Sequence, residues 1–205
     1  MSIKAVFFDI GRVVLVDSAE KPFREKLSKF LGIEYEKVEP KIGKIIDQLV
    51  KGRITEKEFW TKLFQTFNMK PKKNYEKFIM KEFCDNWTLN TETVKIVKSV
   101  KAAGYKIAAI SDTIQPHVEY MKKKGWYEPF PVLILSSEVG MKKPEVGIYR
   151  MALKKLKVKA DESIFIDDKE KNLVTAEKLG MKTILFKNVK QLKKDLMKFG
   201  VEIRN

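Results

Sequence analysis

At 205 residues with 44% hydrophobic side chains, the chain has room for one full-sized domain or a core domain carrying a smaller insertion. The 42 Lys and Arg outnumber the 27 Asp and Glu, for a net charge of +15 that favours anionic partners, but the basic residues sit beside acidic ones, as in Glu25-Lys26 and Lys169-Glu170-Lys171, and form no arm or aromatic-interleaved stripe. The expectation is a solvated surface with no nucleic-acid partner; a lone Cys84 rules out a disulfide within the chain, and no run approaches the roughly 20 apolar residues of a spanning helix.

With no signal-peptide pattern ahead of residue 9, the expectation is a cytoplasmic protein, monomeric or homodimeric, with no membrane partner. The first element is the apolar run Val6-Phe7-Phe8, closed by Asp9 and followed by Gly11. Aromatic and β-branched residues without helical spacing read as a strand buried on both faces. An ionised Asp at its end is costly to bury unless a cation or donors meet it. The carboxyl ends of strands in an open α/β sheet line the crevice where ligands bind. On local sequence alone, capping of the following turn explains Asp9 equally well.

A second apolar run, 13–16, ends at Asp17, which marks the hinge into a helical stretch. From there to residue 86 the spacing is helical. Phe23, Leu27, Phe30 and Leu31 form one stripe, stopped by Gly32; Val38, Ile42, Ile45, Ile46 and Leu49 form a second, stopped by Gly52. Thr55 and Glu58 make a capping box ahead of Phe59, Trp60, Leu63, Phe64 and Phe67. A fourth stripe, in 75–83, carries Phe78, Ile79 and Phe83. Four short helices with no strand between them predict a helical cap over 18–86, inserted into a core domain made of 1–17 and 87–205. Trp60, Trp87 and Trp126 read as packing residues, with a substrate contact open to one on the cap's inner face.

Helix and strand then alternate. A helix over 91–103 precedes a strand at 106–110, which delivers Ser111-Asp112-Thr113. A helix over 116–124 leads to a strand at 132–135 and a loop holding Lys143. A helix over 145–156 leads to a strand at 163–166 that ends in Asp167-Asp168. Helix 170–179, strand 183–186 and helix 189–199 complete the chain. This rhythm predicts an α/β fold, a Rossmann-like core of five parallel strands with the four-helix insertion after the first.

Asp9, Ser111, Lys143 and Asp167-Asp168 therefore fall at one edge of the sheet. Carboxylates gathered that closely repel one another unless a cation joins them. An oxygen-only ligand set favours a hard ion, and Mg2+ suits a phosphoryl substrate. Asp9 can then attack phosphorus as a carboxylate nucleophile, with Lys143 and Ser111 holding the transferring group.

These motifs resemble those of the haloacid dehalogenase superfamily: Phe8-Asp9-Ile10-Gly11, Ile110-Ser111-Asp112, Gly140-Met141-Lys142-Lys143-Pro144, and Phe165-Ile166-Asp167-Asp168. The resemblance covers nearly the whole chain and is nearest to the helical-cap phosphatases, among them sugar-phosphate phosphatases and the phosphatase module of epoxide hydrolases. It implies a Mg2+-dependent phosphatase of a small phosphorylated metabolite, working through an aspartyl-phosphate on Asp9. It also implies that Asp9, the Gly11 carbonyl and Asp168 ligate Mg2+ and that Asp167 binds or orients the metal and its waters. Ser111 and Lys143 would hold the phosphate, with Asp112 beside it.

One position departs from the pattern. Most phosphatases of the family carry a second Asp two residues after the nucleophile, as acid and base; here Gly11 stands there. Loss of such help typically costs about 100- to 10,000-fold in rate, and a sugar-1-phosphate or acyl-phosphate leaving group would need less of it. Arg12 is a poor proton donor and reads as a phosphate contact or an outward surface charge. His117, the only histidine, either reaches the cleft in place of the missing acid or stays partly exposed on its helix. Two other readings stand beside the phosphatase: a metal-free 2-haloacid dehalogenase, and a weakly active scaffold that binds phosphate or a protein.

Overall fold

The computed structural model describes residues 2–17, 23–84 and 86–203, without the side chains of residues 82 and 83. The expected entry into the helical insertion at 18–22 and the Phe83 side chain lie outside the described residues. From the N-terminus the elements are β1 (Ala5–Phe8), β2 (Leu15–Asp17), α1 (Phe23–Leu31), α2 (Tyr35–Val50), α3 (Glu56–Thr66), α4 (Tyr75–Cys84) and β3 (Trp87–Leu89). They continue with α5 (Thr91–Ala102), β4 (Lys106–Ser111), α6 (Gln115–Lys123), β5 (Val132–Leu135), α7 (Ser136–Val139) and α8 (Val146–Leu156). The last are β6 (Ser163–Asp167), α9 (Glu170–Lys178), β7 (Lys182–Leu185) and α10 (Val189–Lys198).

The five predicted core strands form one parallel sheet in the order β5-β4-β1-β6-β7. Its strands alternate sides with a period of two. Val6 and Phe8 pack under α5, α6 and α10, through Val97, Val118 and Leu192 among others. Ala5 and Phe7 face the other way, onto Ile148 and Tyr149 of α8 and Leu173 of α9. Both faces are covered, which is why β1 reads as an unbroken apolar run.

Helices α1–α4 build a core of their own around Trp60, which is 1% exposed. Its ring meets Phe30, Phe59, Phe64, Tyr75 and Phe78 at centroid distances of 5.3–5.8 Å, each pair contributing about 0.5–1.5 kcal/mol beyond area burial. The capping box forms: Glu58 N donates to Thr55 Oγ1 at 3.2 Å, and Thr55 N donates to Glu58 Oε2 at 2.7 Å. No helix among the described residues is long and apolar enough to cross a membrane.

Two short elements escape the sequence pattern. β2 and β3 pair antiparallel, Leu15 with Leu89 and Asp17 with Trp87, and so tie the chain entering the helices to the chain leaving them. Three-residue strands are too short to show a period. The segment after β5, expected as a loop, begins with the one-turn helix α7, stopped by Gly140 at φ +72°.

Candidate active site

The strand order explains why the polar tips converge. β1 is the centre, β4 and β5 lie on one side, and β6 and β7 lie on the other. The chain thus reverses direction of winding beside β1, and its carboxyl end opens into the crevice such a switch creates. Asp9 follows β1, Ser111 ends β4, and Asp167 ends β6.

Lys143 comes to them from the segment after α7. Its Nζ donates to Asp9 Oδ1 at 2.6 Å and to Asp167 Oδ2 at 2.7 Å, with all three residues buried. Its backbone N donates to Asp112 Oδ1 at 2.9 Å, which fixes the segment against the end of β4. Asp9 Oδ1 also accepts the Ile10 amide at 2.8 Å. Asp167 is held further by the Lys169 amide at 2.8 Å and by Asn172 Nδ2, which donates to both carboxylate oxygens at 3.0 Å.

The electrostatics follow from this packing. Burial pushes the Asp9 carboxyl up to about 7; Lys143 pulls it down, and Asp167 and Asp168 push it up again. Burial works against the Lys143 ammonium, yet Asp9, Asp167 and Asp112 together outweigh it and hold its pKa above the ordinary lysine value. One ammonium among these carboxylates leaves the cluster with excess negative charge.

That excess fits a cation. Asp9, Asp167 and Asp168 each offer a carboxylate oxygen, the three lying within 4.8 Å of one another. Around an octahedral ion with bonds of about 2.1 Å, ligand oxygens lie about 3 to 4.2 Å apart. Asp168 Oδ1 is buried with no hydrogen-bond partner among the described residues, as expected of an atom awaiting a ligand. An all-oxygen set of this kind suits Mg2+ rather than a soft metal.

Above the cluster lies a cavity of about 200 Å³. Asp9, Gly11, Ser111, Asp112, Lys143 and Lys169 line its floor and rim, while Val50, Trp87, Ile114 and His117 form its roof with Ile10 and Thr113. Asp167 and Asp168 do not line it. Arg12 is not among the lining residues: it sits at φ +61°, and its side chain is exposed and 3.4 Å from Asp17 in a separate cleft with Asn90 and Lys187. Of the two sequence readings for Arg12, the outward charge matches this placement.

His117 is buried, with Nδ1 3.2 Å from Thr113 Oγ1. Burial pulls its pKa down to about 4, so the ring is neutral at neutral pH. Trp87, read as packing, lines the cavity from β3. A Cβ grafted on Gly11 would meet the Trp87 ring at 3.6 Å, so the indole stands beside the residue after next to Asp9. Val50, Ile114 and Lys169 were also missed. Only Lys169 carried a signal, its position directly after Asp168.

Comparison with known proteins gives the family and agrees with the fold. The sequence profile of the haloacid dehalogenase-like hydrolases matches residues 12–186. A drimenol cyclase of Aspergillus calidoustus is 24% identical over 202 residues, 95% of this chain and 36% of that protein. A glyceraldehyde 3-phosphate phosphatase of Methanocaldococcus jannaschii is 31% identical over 94 residues, 45% of this chain and 41% of that protein. The chain thus spans less than half the length of these curated relatives. An enzyme of Bacteroides thetaiotaomicron shares the fold, with a TM-score of 0.77 at 24% identity over 91% of this chain and 95% of that one. The same enzyme has been solved with magnesium and inorganic phosphate, with a TM-score of 0.73 at 24% identity and the same coverage.

Proposed function

The chain belongs to the haloacid dehalogenase-like hydrolases, and from that premise we propose that it is a Mg2+-dependent phosphatase of a small phosphorylated metabolite. The observation that carries the reading is the cluster in which carboxylate oxygens of Asp9, Asp167 and the part-buried Asp168 lie within 4.8 Å of one another, with the Lys143 ammonium joining the first two. Relatives named as phosphatases and a fold neighbour solved with magnesium and phosphate support it.

Asp9, Asp168 and the Gly11 carbonyl would hold the ion, with Asp167 orienting it. When bound, the ion supplies positive charge against the phosphoryl oxygens and against the carboxylates themselves. Asp9 attacks phosphorus and carries the phosphoryl group as an aspartyl-phosphate. Lys143 balances the charge that gathers on the transferring group, and the Ser111 hydroxyl donates to one of its oxygens. Asp112 serves through its bond to the Lys143 amide, which sets where the ammonium points. The helices α1–α4 act as a cap, with the end of α2 closing the roof through Val50 and limiting access of water. Gly11 fits a metal-free dehalogenase as well, but that reading would leave Asp167 and Asp168 gathered beside Asp9 without a cation to join them.

The test is phosphate release from p-nitrophenyl phosphate and acetyl phosphate, with Mg2+ and with a chelator. Turnover is expected only with the metal. Asp9→Asn, nearly isosteric, should reduce it to background while the circular dichroism spectrum and melting temperature stay near those of the wild type. Full activity in that variant would remove the nucleophile from this account, and a site inert towards both compounds would leave the scaffold reading.

A further inference from the structure

The roof of the cavity bears on which phosphate compounds the site can open. Cleaving an alkyl phosphate expels an alkoxide about as basic as hydroxide, whose conjugate acid has a pKa of about 15.7, so a proton must arrive as the bond breaks. Cleaving an acyl phosphate expels a carboxylate, with a pKa of about 4, which departs without one. Among the described residues, Asp9 and Asp167 are tied to Lys143 by its Nζ and Asp112 by its backbone amide, while Asp168, with an oxygen within 4.8 Å of those of Asp9 and Asp167, is the carboxylate assigned to the ion. The roof over them presents Val50, Trp87 and Ile114, with His117 held at 3.2 Å from Thr113 Oγ1. Gly11 has no side chain to offer, and the Trp87 ring lies 3.6 Å from where its Cβ would be. β2–β3 pairing, Asp17 with Trp87, holds the backbone that carries that ring.

We infer that the site is selective for phosphoryl groups carried on a short, apolar acyl group, and that alkyl phosphate monoesters are poor substrates. The inference rests on the phosphatase reading and deepens it. An Asp9 oxygen bonds to phosphorus, the bond from phosphorus to the acyl oxygen breaks, and the electron pair leaves with the carboxylate. Water then bonds to phosphorus as the bond to Asp9 breaks and its electron pair returns to the carboxylate. The water keeps one proton as a P–OH and passes the other to a phosphate oxygen, so that carboxylate and dihydrogen phosphate are the products. No step needs a proton from the roof. The cavity of about 200 Å³ has room for an acyl part of a few carbons beside the phosphoryl group, and the three apolar side chains favour one without hydroxyls.

The experiment measures kcat/KM of the wild-type protein with Mg2+ for acetyl phosphate, p-nitrophenyl phosphate, phenyl phosphate and glycerol 2-phosphate. The value should fall steadily with the basicity of the leaving group, by at least 100-fold from acetyl phosphate to glycerol 2-phosphate. Acetyl and glycerol phosphates turned over within tenfold of each other would overturn the inference while leaving the phosphatase reading intact. If His117→Gln then abolished the glycerol phosphate rate alone, the proton would be assigned to His117. Failure to release phosphate from any of the four would remove both.

Discussion

Two buried side chains, Lys143 and His117, meet burial in opposite ways. Lys143 keeps its charge because Asp9 and Asp167 lie within 2.7 Å of its Nζ; His117 gives its charge up, burial pulling its pKa to about 4 from an ordinary 6.5. The second has a consequence for stability. Between these two values the unfolded chain binds a proton on this residue and the folded chain does not, so stability rises with pH across that window. The contribution is complete above about pH 6.5, shrinks as the pH falls, and is gone near pH 4, a total of about 3 kcal/mol. Asp9, raised to about 7, gives a slope of the opposite sign over the same window, so the His117 contribution is read as a difference. In urea unfolding at intervals from pH 4 to 7, stability should rise less, or fall more, with pH in His117→Leu than in the wild type. An unchanged slope in that variant would mean that His117 is not the group titrating. Arg12 shows a different limit at the same scale: three residues after the nucleophile, it does not line the cavity that Gly11 lines, yet its charge still acts on Asp168, pulling that carboxyl's pKa down against burial.

At the scale of elements, the join between α2 and the sheet depends on Ser136 and Gly52. The Ser136 hydroxyl, fully buried, lies 2.8 Å from the Val50 carbonyl and 3.0 Å from the Thr113 carbonyl, and accepts the Thr113 amide at 2.8 Å. It therefore links the end of α2, the end of β4 and the start of α7. Gly52 makes that approach possible: it sits at φ +63°, and a Cβ there would stand 2.0 Å from the Ser137 carbonyl oxygen. Gly52→Ala combines left-handed strain of about 1–3 kcal/mol with a backbone overlap that only separation of α2 from α7 can relieve. The expected result is a lower melting temperature and, because Val50 forms part of the roof, a raised KM with little change in kcat; wild-type stability in the variant would show the join to be looser than described. The sheet was legible because its strands are continuous apolar runs ending in Asp9, Ser111 and Asp167, a pattern that packing alone does not require. Trp87, Val50 and Ile114 were not, because an apolar side chain carries no mark of whether it faces a core or a cavity. Nor was the β2–β3 pair, whose three-residue strands are separated in sequence by the whole of α1–α4.

At the scale of the whole molecule, a net charge of +15 surrounds a site whose own carboxylates carry a negative excess. The two act at different ranges. The surface charge raises the local concentration of an anionic substrate and is screened with a Debye length of about 8 Å at physiological salt; the buried cluster acts at contact and is screened much less. A second feature is also sensitive to salt: Asp47 of α2 pairs with Lys142 at 2.6 Å and with Lys51 at 3.1 Å, and Lys51 reaches Glu145 at 2.6 Å. This network bridges the helices to the segment that carries Lys143. Such exposed pairs contribute about 0–1 kcal/mol each and weaken in salt. Raising NaCl from 20 to 300 mM at fixed Mg2+ should therefore lower kcat/KM for a dianionic phosphate several-fold through the long-range field, with kcat held within twofold. If kcat fell in parallel, salt would be acting on the bridge instead. The double variant Asp47→Asn, Lys51→Gln separates the cases, because it removes all three pairs of the bridge while leaving the net charge unchanged. A steering effect keeps its full salt dependence in that variant; an effect of the bridge disappears.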